Sequence, residues 1–137
     1  MKRIDDGKDG KNLTFLIVED HKSLRKSLRH LLSAFFPNSF ILEAKDGEEA
    51  LSFAFWHRPD IVLMDIAMPG INGIESTQRI KKELPMTQVV ILTIHENPEY
   101  RADALAAGAS TFIPKRKMGT DLFPALSDLL VRQTDSY

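Results

Sequence analysis

Five residues of the 137-residue sequence could do chemistry together, and they sit at the ends of short apolar runs. Glu19 and Asp20 follow Leu13–Val18 (LTFLIV), and Asp65 follows Ile61–Met64 (IVLM). Thr93 closes Val89–Thr93 (VVILT), and Lys115 comes just past Thr111–Ile113 (TFI). Three carboxylates at close quarters repel, and each raises the others' pKa unless a cation joins them. A hard divalent ion, Mg²⁺ or Mn²⁺, takes a few carboxylates together with water and a phosphate oxygen. Lys115 would add a second positive charge for a phosphoryl group, and Thr93 a hydroxyl donor. A carboxylate inside such a cage can attack a phosphoryl donor and form an acyl phosphate. Neutralising charge is the main help that such a transfer needs. Taken singly, the residues have plainer readings. Acids before a helix often only cap it, a Thr at a strand end is a β-former, and a Lys past a strand is a solvated charge. Their joint occurrence favours the phosphoryl chemistry.

The elements that must position these groups alternate along the chain. A further run, Phe40–Ala44 (FILEA), is more mixed and suits a less protected strand. Between the runs lie stripes of helical period: Leu24, Leu28, Leu31, Leu32 and Phe35; Ala50, Leu51, Ala54 and Phe55; Ile74, Thr77, Ile80 and Leu84. A short fourth stripe holds Tyr100, Ala104, Leu105 and Ala107, and a fifth holds Leu122, Phe123, Leu126, Leu129 and Leu130. Asp46-Gly47 and Gly73 open helices, Pro59 and Pro85 follow them, and Gly108 sits past the fourth. Five strands alternating with five helices imply an α/β fold, a five-stranded parallel sheet with helices on both faces. In such folds ligands bind outside the C-terminal ends of the strands, which is where the five residues fall.

Four segments carry a family resemblance: FLIVED (Phe15–Asp20), IVLMDIAMPGINGIE (Ile61–Glu75), VVILT (Val89–Thr93) and AGASTFIPK (Ala107–Lys115). Together they resemble the receiver domain of two-component response regulators over about residues 13–131. The resemblance implies a flavodoxin-like doubly wound sheet of strand order 2-1-3-4-5. It implies that Asp65 is the phosphoacceptor for a sensor histidine kinase or phosphotransfer protein. Asp20 would bind Mg²⁺ (or Mn²⁺) directly, with Glu19 helping directly or through water, and Asp65 and the Ala67 carbonyl would complete the protein's share. Thr93 and Lys115 would bind phosphoryl oxygens, and Phe112 occupies the switch position that moves with Thr93. Ala67 and His95 fall at the positions that tune phosphate lifetime. The readout surface would be the fourth helix, fifth strand and fifth helix, through which the family often dimerises. Leu24, Arg25 and Leu28 are candidates for docking the kinase. The chain departs from the common pattern in its Glu-Asp acid pair, in Phe112 where Tyr is commoner, and in Pro114 preceding Lys115 where Pro often follows it.

Composition bounds the rest. The sequence is 43% hydrophobic and 27% charged, near the soluble globular average. Lys+Arg number 18 against Asp+Glu 19, which argues against direct, sequence-independent binding of nucleic acid. Cys is absent, which excludes thiol nucleophiles and thiolate metal sites. The four histidines are scattered without ligand spacing, so a zinc site is not expected. No apolar run approaches the roughly 20 residues that span a bilayer, so no membrane partner is expected and a cytoplasmic protein is the simplest reading. Residues 1–12 are expected to be a disordered arm, 13–131 the receiver domain, and 132–137 a tail or truncated linker, with no room for a DNA-reading module. Trp56-His57 is read as packing. The contrasting functional reading is a degenerate receiver that binds proteins without phosphorylation. A phosphatase with an Asp nucleophile fits poorly, because Ala67 stands where a second acid would be. A dinucleotide enzyme is excluded by Val18-Glu19-Asp20-His21, which replaces the glycine-rich first turn.

Overall fold

The computed structural model describes residues 12–135 of the chain, with side chains over 12–131. The expected N-terminal arm therefore lies, apart from Asn12, outside the described residues. The elements run β1 (Thr14–Val18), α1 (Lys22–Phe35), β2 (Phe40–Ala44), α2 (Gly47–His57), β3 (Ile61–Met64) and α3 (Gly73–Glu83). They continue with β4 (Gln88–Thr93), α4 (Pro98–Ala106), β5 (Thr111–Pro114), a 3₁₀ turn over Lys115–Lys117, and α5 (Met118–Asp135). The sheet is wholly parallel in the order β2-β1-β3-β4-β5, as the resemblance implies.

The two-residue period of the strands sorts their side chains into two cores. Leu16, Val18, Val62, Met64, Val89, Ile91 and Phe112 face one way, where Ala50, Ala54, Ile80 and Ala104 of α2, α3 and α4 cover them. Phe15, Ile17, Ile61, Leu63, Val90, Leu92 and Ile113 face the other way, beneath Leu28 and Leu32 of α1 and Leu122 and Leu126 of α5. β1, β3 and β4 are buried on both faces, which is why they read as unbroken apolar runs. β2 is one of the two edge strands, and its first residue, Phe40, is exposed. Asp46 and Asn72 cap α2 and α3 by accepting from the backbone N–H groups of Glu49 and Glu75. His21 does the same for α1 through Nδ1, so Glu19 and Asp20 are not its cap residues.

Four details depart from the sequence patterns. α5 stays helical to Asp135, past the expected boundary at residue 131, and Ser136 and Tyr137 lie outside the described residues. Phe55 and Trp56 are exposed, the latter at 83%. α2 is apolar nearly all round, so periodicity does not choose its inner face, and half-buried Phe53 packs where Phe55 was expected. On α4 only Ala104 is buried, while Tyr100 and Leu105 face outward. Phe36, the residue after α1, is fully buried against Phe15, with ring centroids 5.1 Å apart. It lies beyond the helical period and so escapes a stripe.

Gly73 starts α3 against the backbone of the site. Its N–H donates to Ile66 O at 2.9 Å, and a Cβ there would stand 2.0 Å from Asp65 O. Gly119, in the first turn of α5, has nothing within 4 Å of a Cβ. Urea unfolding should therefore separate two identical substitutions. Gly73→Ala is expected to cost about 1–3 kcal/mol through overpacking. Gly119→Ala is expected to gain about 0.4–1 kcal/mol by restricting the unfolded chain. Equal effects would contradict the close approach of α3 to Asp65.

Candidate functional site

The parallel ladders run on past the strands and place the acids. Asp65 N–H donates to Val18 O at 3.1 Å, and Glu19 N–H to Ala44 O at 3.0 Å. The acid pair and Asp65 thus sit side by side at the C-terminal edge of β1 and β3, where the crossovers leave to opposite faces. Among the described residues, one group of three carboxylates could share a cation. Oxygens of Glu19, Asp20 and Asp65 all lie within 4.8 Å of one another. Glu19 and Asp65 are buried and Asp20 is exposed, so the cluster opens to solvent on one side.

Lys115 brings the counter-charge from the end of β5. Its Nζ donates to Glu19 Oε1 at 2.7 Å and to Asp65 Oδ2 at 3.4 Å. Glu19 Oε2 accepts from His21 N–H at 3.0 Å. The other Asp65 oxygen, Oδ1, is buried and has no hydrogen-bond partner. An unpartnered carboxylate oxygen in the interior is costly, and such groups mark places where something else binds.

The electrostatics follow from this geometry. Burial raises the Asp65 pKa above the ordinary aspartate value. The Lys115 ammonium and the Ala67 backbone N–H pull it back only in part, and the charge of Asp20 adds to the rise. Burial likewise raises Glu19, against the pull of Lys115 and the His21 N–H and with a further push from Asp65. Burial works to lower the Lys115 pKa, but its contacts with Glu19 and Asp65 outweigh that and hold it above the ordinary lysine value. One ammonium therefore does not balance three carboxylates.

The remaining expected site residues are placed less directly. Thr93 is fully buried at the end of β4, and its Oγ1 accepts from His95 N–H at 3.1 Å. Ala67 is exposed in the loop after Asp65. His95 is half-buried, with its ring 5.5 Å from Tyr100. Phe112 is buried two register pairs below Thr93, opposite Ile91. The Arg101 guanidinium of α4 lies 5.7 Å from the Phe112 ring centroid, and its Nη1 donates to the Phe112 carbonyl at 3.4 Å. The sequence patterns did not indicate this link between α4 and β5. Of the three α1 residues expected to dock a kinase, Leu28 is core at 2% exposure, as its place in the apolar stripe also allows, while Leu24 and Arg25 are half-buried and the Arg25 guanidinium binds Glu43 and the Glu19 carbonyl.

Comparison with known proteins finds relatives over most of the chain. The family model "Response regulator receiver domain" matches residues 15–127. The chain is 30% identical to the transcriptional regulatory protein DegU of Brevibacillus brevis, over 91% of this chain and 52% of that protein. It is 35% identical to the response regulator protein VraR of Staphylococcus saprophyticus, over 81% of this chain and 53% of that one. The chain thus spans about half the length of the curated relatives it matches. Among solved structures, a LuxR-family two-component response regulator from an Aurantimonas species superposes with a TM-score of 0.81 at 30% identity, covering 88% of this chain and 86% of that one. The response regulator TrrA of Thermotoga maritima, solved with Mg²⁺ and BeF, gives 0.76 at 30% identity, covering 85% and 98%.

The charge imbalance has a measurable consequence. Asp65 and Glu19 hold protons more tightly folded than unfolded. Their contribution to stability is present below the ordinary carboxylate pKa, near pH 4, and is lost as pH rises through their raised values. Glu43 acts oppositely: burial raises its pKa, but the guanidiniums of Arg29 and Arg25 lower it further, so its contribution is lost as pH falls. In chelator, melting temperature should decline from mildly acid to neutral pH. Asp65→Asn should flatten that decline and raise the melting temperature at neutral pH, because it removes one of the repelling charges. A variant less stable than the parent at neutral pH would contradict the repulsion.

Proposed function

The chain belongs to the response regulator receiver domain family, and from that premise we propose that Asp65 is its phosphoacceptor in a two-component phosphorelay. The observation that carries the reading is the buried, unpartnered Oδ1 of Asp65 inside a cage of two further carboxylates and one ammonium. A hard divalent cation, Mg²⁺ or Mn²⁺, fits this donor set, which is all oxygen and short of positive charge. Asp20, Glu19 and Asp65 would hold it, with the Ala67 carbonyl as a further ligand. When bound, the ion would draw charge from the phosphoryl oxygens.

The chain's own residues supply the rest. An oxygen of Asp65 attacks the phosphorus of a phosphohistidine on the sensor kinase or phosphotransfer protein. The new O–P bond forms as the P–N bond breaks, and the electron pair leaves with the donor's imidazole, which takes up a proton. Burial of Asp65 keeps its carboxylate poorly solvated, and Lys115, already 3.4 Å from Oδ2, neutralises charge on the arriving group. Thr93 would give up the His95 N–H and turn its hydroxyl to a phosphoryl oxygen. That exchange is felt by His95, which touches Tyr100, and by α4, which Arg101 ties to Phe112.

Phosphorylation then shifts a population between two arrangements rather than building a new one. The proposed readout face is α4, β5 and α5, where Tyr100 and Leu105 of α4 already expose apolar surface, and a homodimer there is part of the reading. Ala67, small and exposed, leaves water access to the acyl phosphate, and His95 flanks the other side. The proposed setting is the cytoplasm; no described helix is long and apolar enough to cross a membrane. The span 13–131 is the proposed extent of the domain, and its output on transcription, which the name of DegU suggests, would belong to the whole protein.

Incubation with acetyl phosphate and Mg²⁺ should add the mass of one phosphoryl group, read by intact-mass spectrometry. Asp65→Asn and chelator should each abolish the adduct. An adduct that survives Asp65→Asn, or that forms equally without divalent ion, would overturn the assignment. No adduct at all would favour a phosphorylation-independent binding module.

A further inference from the structure

Glu43 is out of place on β2. It shares a face of the sheet with Ile41, the face packed by α1 and α5, and it pairs in register with fully buried Ile17. A half-buried carboxylate there needs charged partners, and α1 sends two from successive turns. Arg25 Nε donates to Glu43 Oε1 at 3.0 Å, and Arg29 Nε to Oε2 at 2.5 Å. Arg29 spends its remaining arm within β2, donating from Nη2 to Ile41 O at 2.8 Å. Arg29 is thus accounted for as a brace on the edge strand.

Arg25 is not accounted for in that way. Its Nη1 leaves β2 and donates to the backbone carbonyl of Glu19 at 2.8 Å. Its side chain is only 18% exposed, so the guanidinium is committed inward. One planar group therefore joins a fixed anion on the edge strand to the loop that carries Glu19 and Asp20. A lysine could not span both, since a compact ammonium lacks the forked geometry. Residues behind metal ligands orient them, and their loss typically weakens binding about 10–100-fold.

We propose that Arg25, braced by Glu43, is a positioning residue that holds the Glu19–Asp20 backbone so that the acid pair presents its carboxylates to a divalent cation in one geometry. This rests on reading Glu19, Asp20 and Asp65 as a cation site. The test uses the full chain and Mg²⁺ alone, with no phosphoryl donor. Binding is followed by the Mg²⁺-dependent rise in melting temperature and by the amide NMR shifts of Asp20 and Asp65. Arg25→Met is expected to raise the Mg²⁺ dissociation constant about 10–100-fold. Arg29→Met, which leaves the Glu19 contact in place, should leave that constant nearly unchanged while costing comparable stability. Arg25→Lys should recover only part of the affinity. Should Arg25→Met not fold, Glu43→Gln carries the test, with a smaller loss expected. Wild-type affinity in Arg25→Met or Glu43→Gln, or an equal loss in Arg29→Met, would overturn the proposal and leave the cation site standing. No Mg²⁺ response in the parent chain would overturn the cation site itself.

Discussion

The structure turns on an unbalanced charge. Three carboxylates meet at one edge of the sheet, and a single ammonium, Lys115, lies among them. In water such a group would be weakly repulsive. Here two of the carboxylates are almost fully buried, so the repulsion is less screened and their pKa values rise. The imbalance stores affinity for positive charge. A divalent cation and a phosphoryl group together suit it, because one supplies the missing charge and the other uses it.

Only a rigid frame can hold like charges this close. The central strands β1, β3 and β4 are packed on both faces, and their ladders continue beyond the strands to fix the backbones of Glu19 and Asp65. α3 presses against Asp65 from behind, close enough that Gly73 leaves no space for a side chain. At the end of β4, the buried Thr93 hydroxyl accepts from the backbone N–H of His95, and an exposed Arg116–Glu96 pair spans the loops beyond it. The site is firm where the acids are placed.

Much of this was legible in the sequence. The bounds of β2 and β3 coincide with the apolar runs Phe40–Ala44 and Ile61–Met64, and the strand order agrees with the family resemblance. The convergence of Glu19, Asp20, Asp65 and Lys115 was readable because each ends a strand, and parallel strands share one end. What was not legible depends on direction. Apolar spacing on α2 and α4 does not say which side meets the sheet when small and large apolar residues surround the axis, so Phe55, Tyr100 and Leu105 emerge exposed. Arg25 reads as a surface residue of α1, because nothing local shows that Glu43 waits on the neighbouring strand. The charged residue inside FILEA was the available signal: a carboxylate within an apolar strand asks for a partner.

The proposed nucleophile is the buried carboxylate of Asp65, set in a cage short of positive charge. An acyl phosphate can be trapped where it forms, because borohydride reduces it to the corresponding alcohol. After reaction with acetyl phosphate and Mg²⁺, reduction and peptide sequencing by tandem mass spectrometry should find homoserine at position 65 and aspartate unchanged at position 20. Reduction at position 20, or a phosphoryl group that resists borohydride on another side chain, would contradict it.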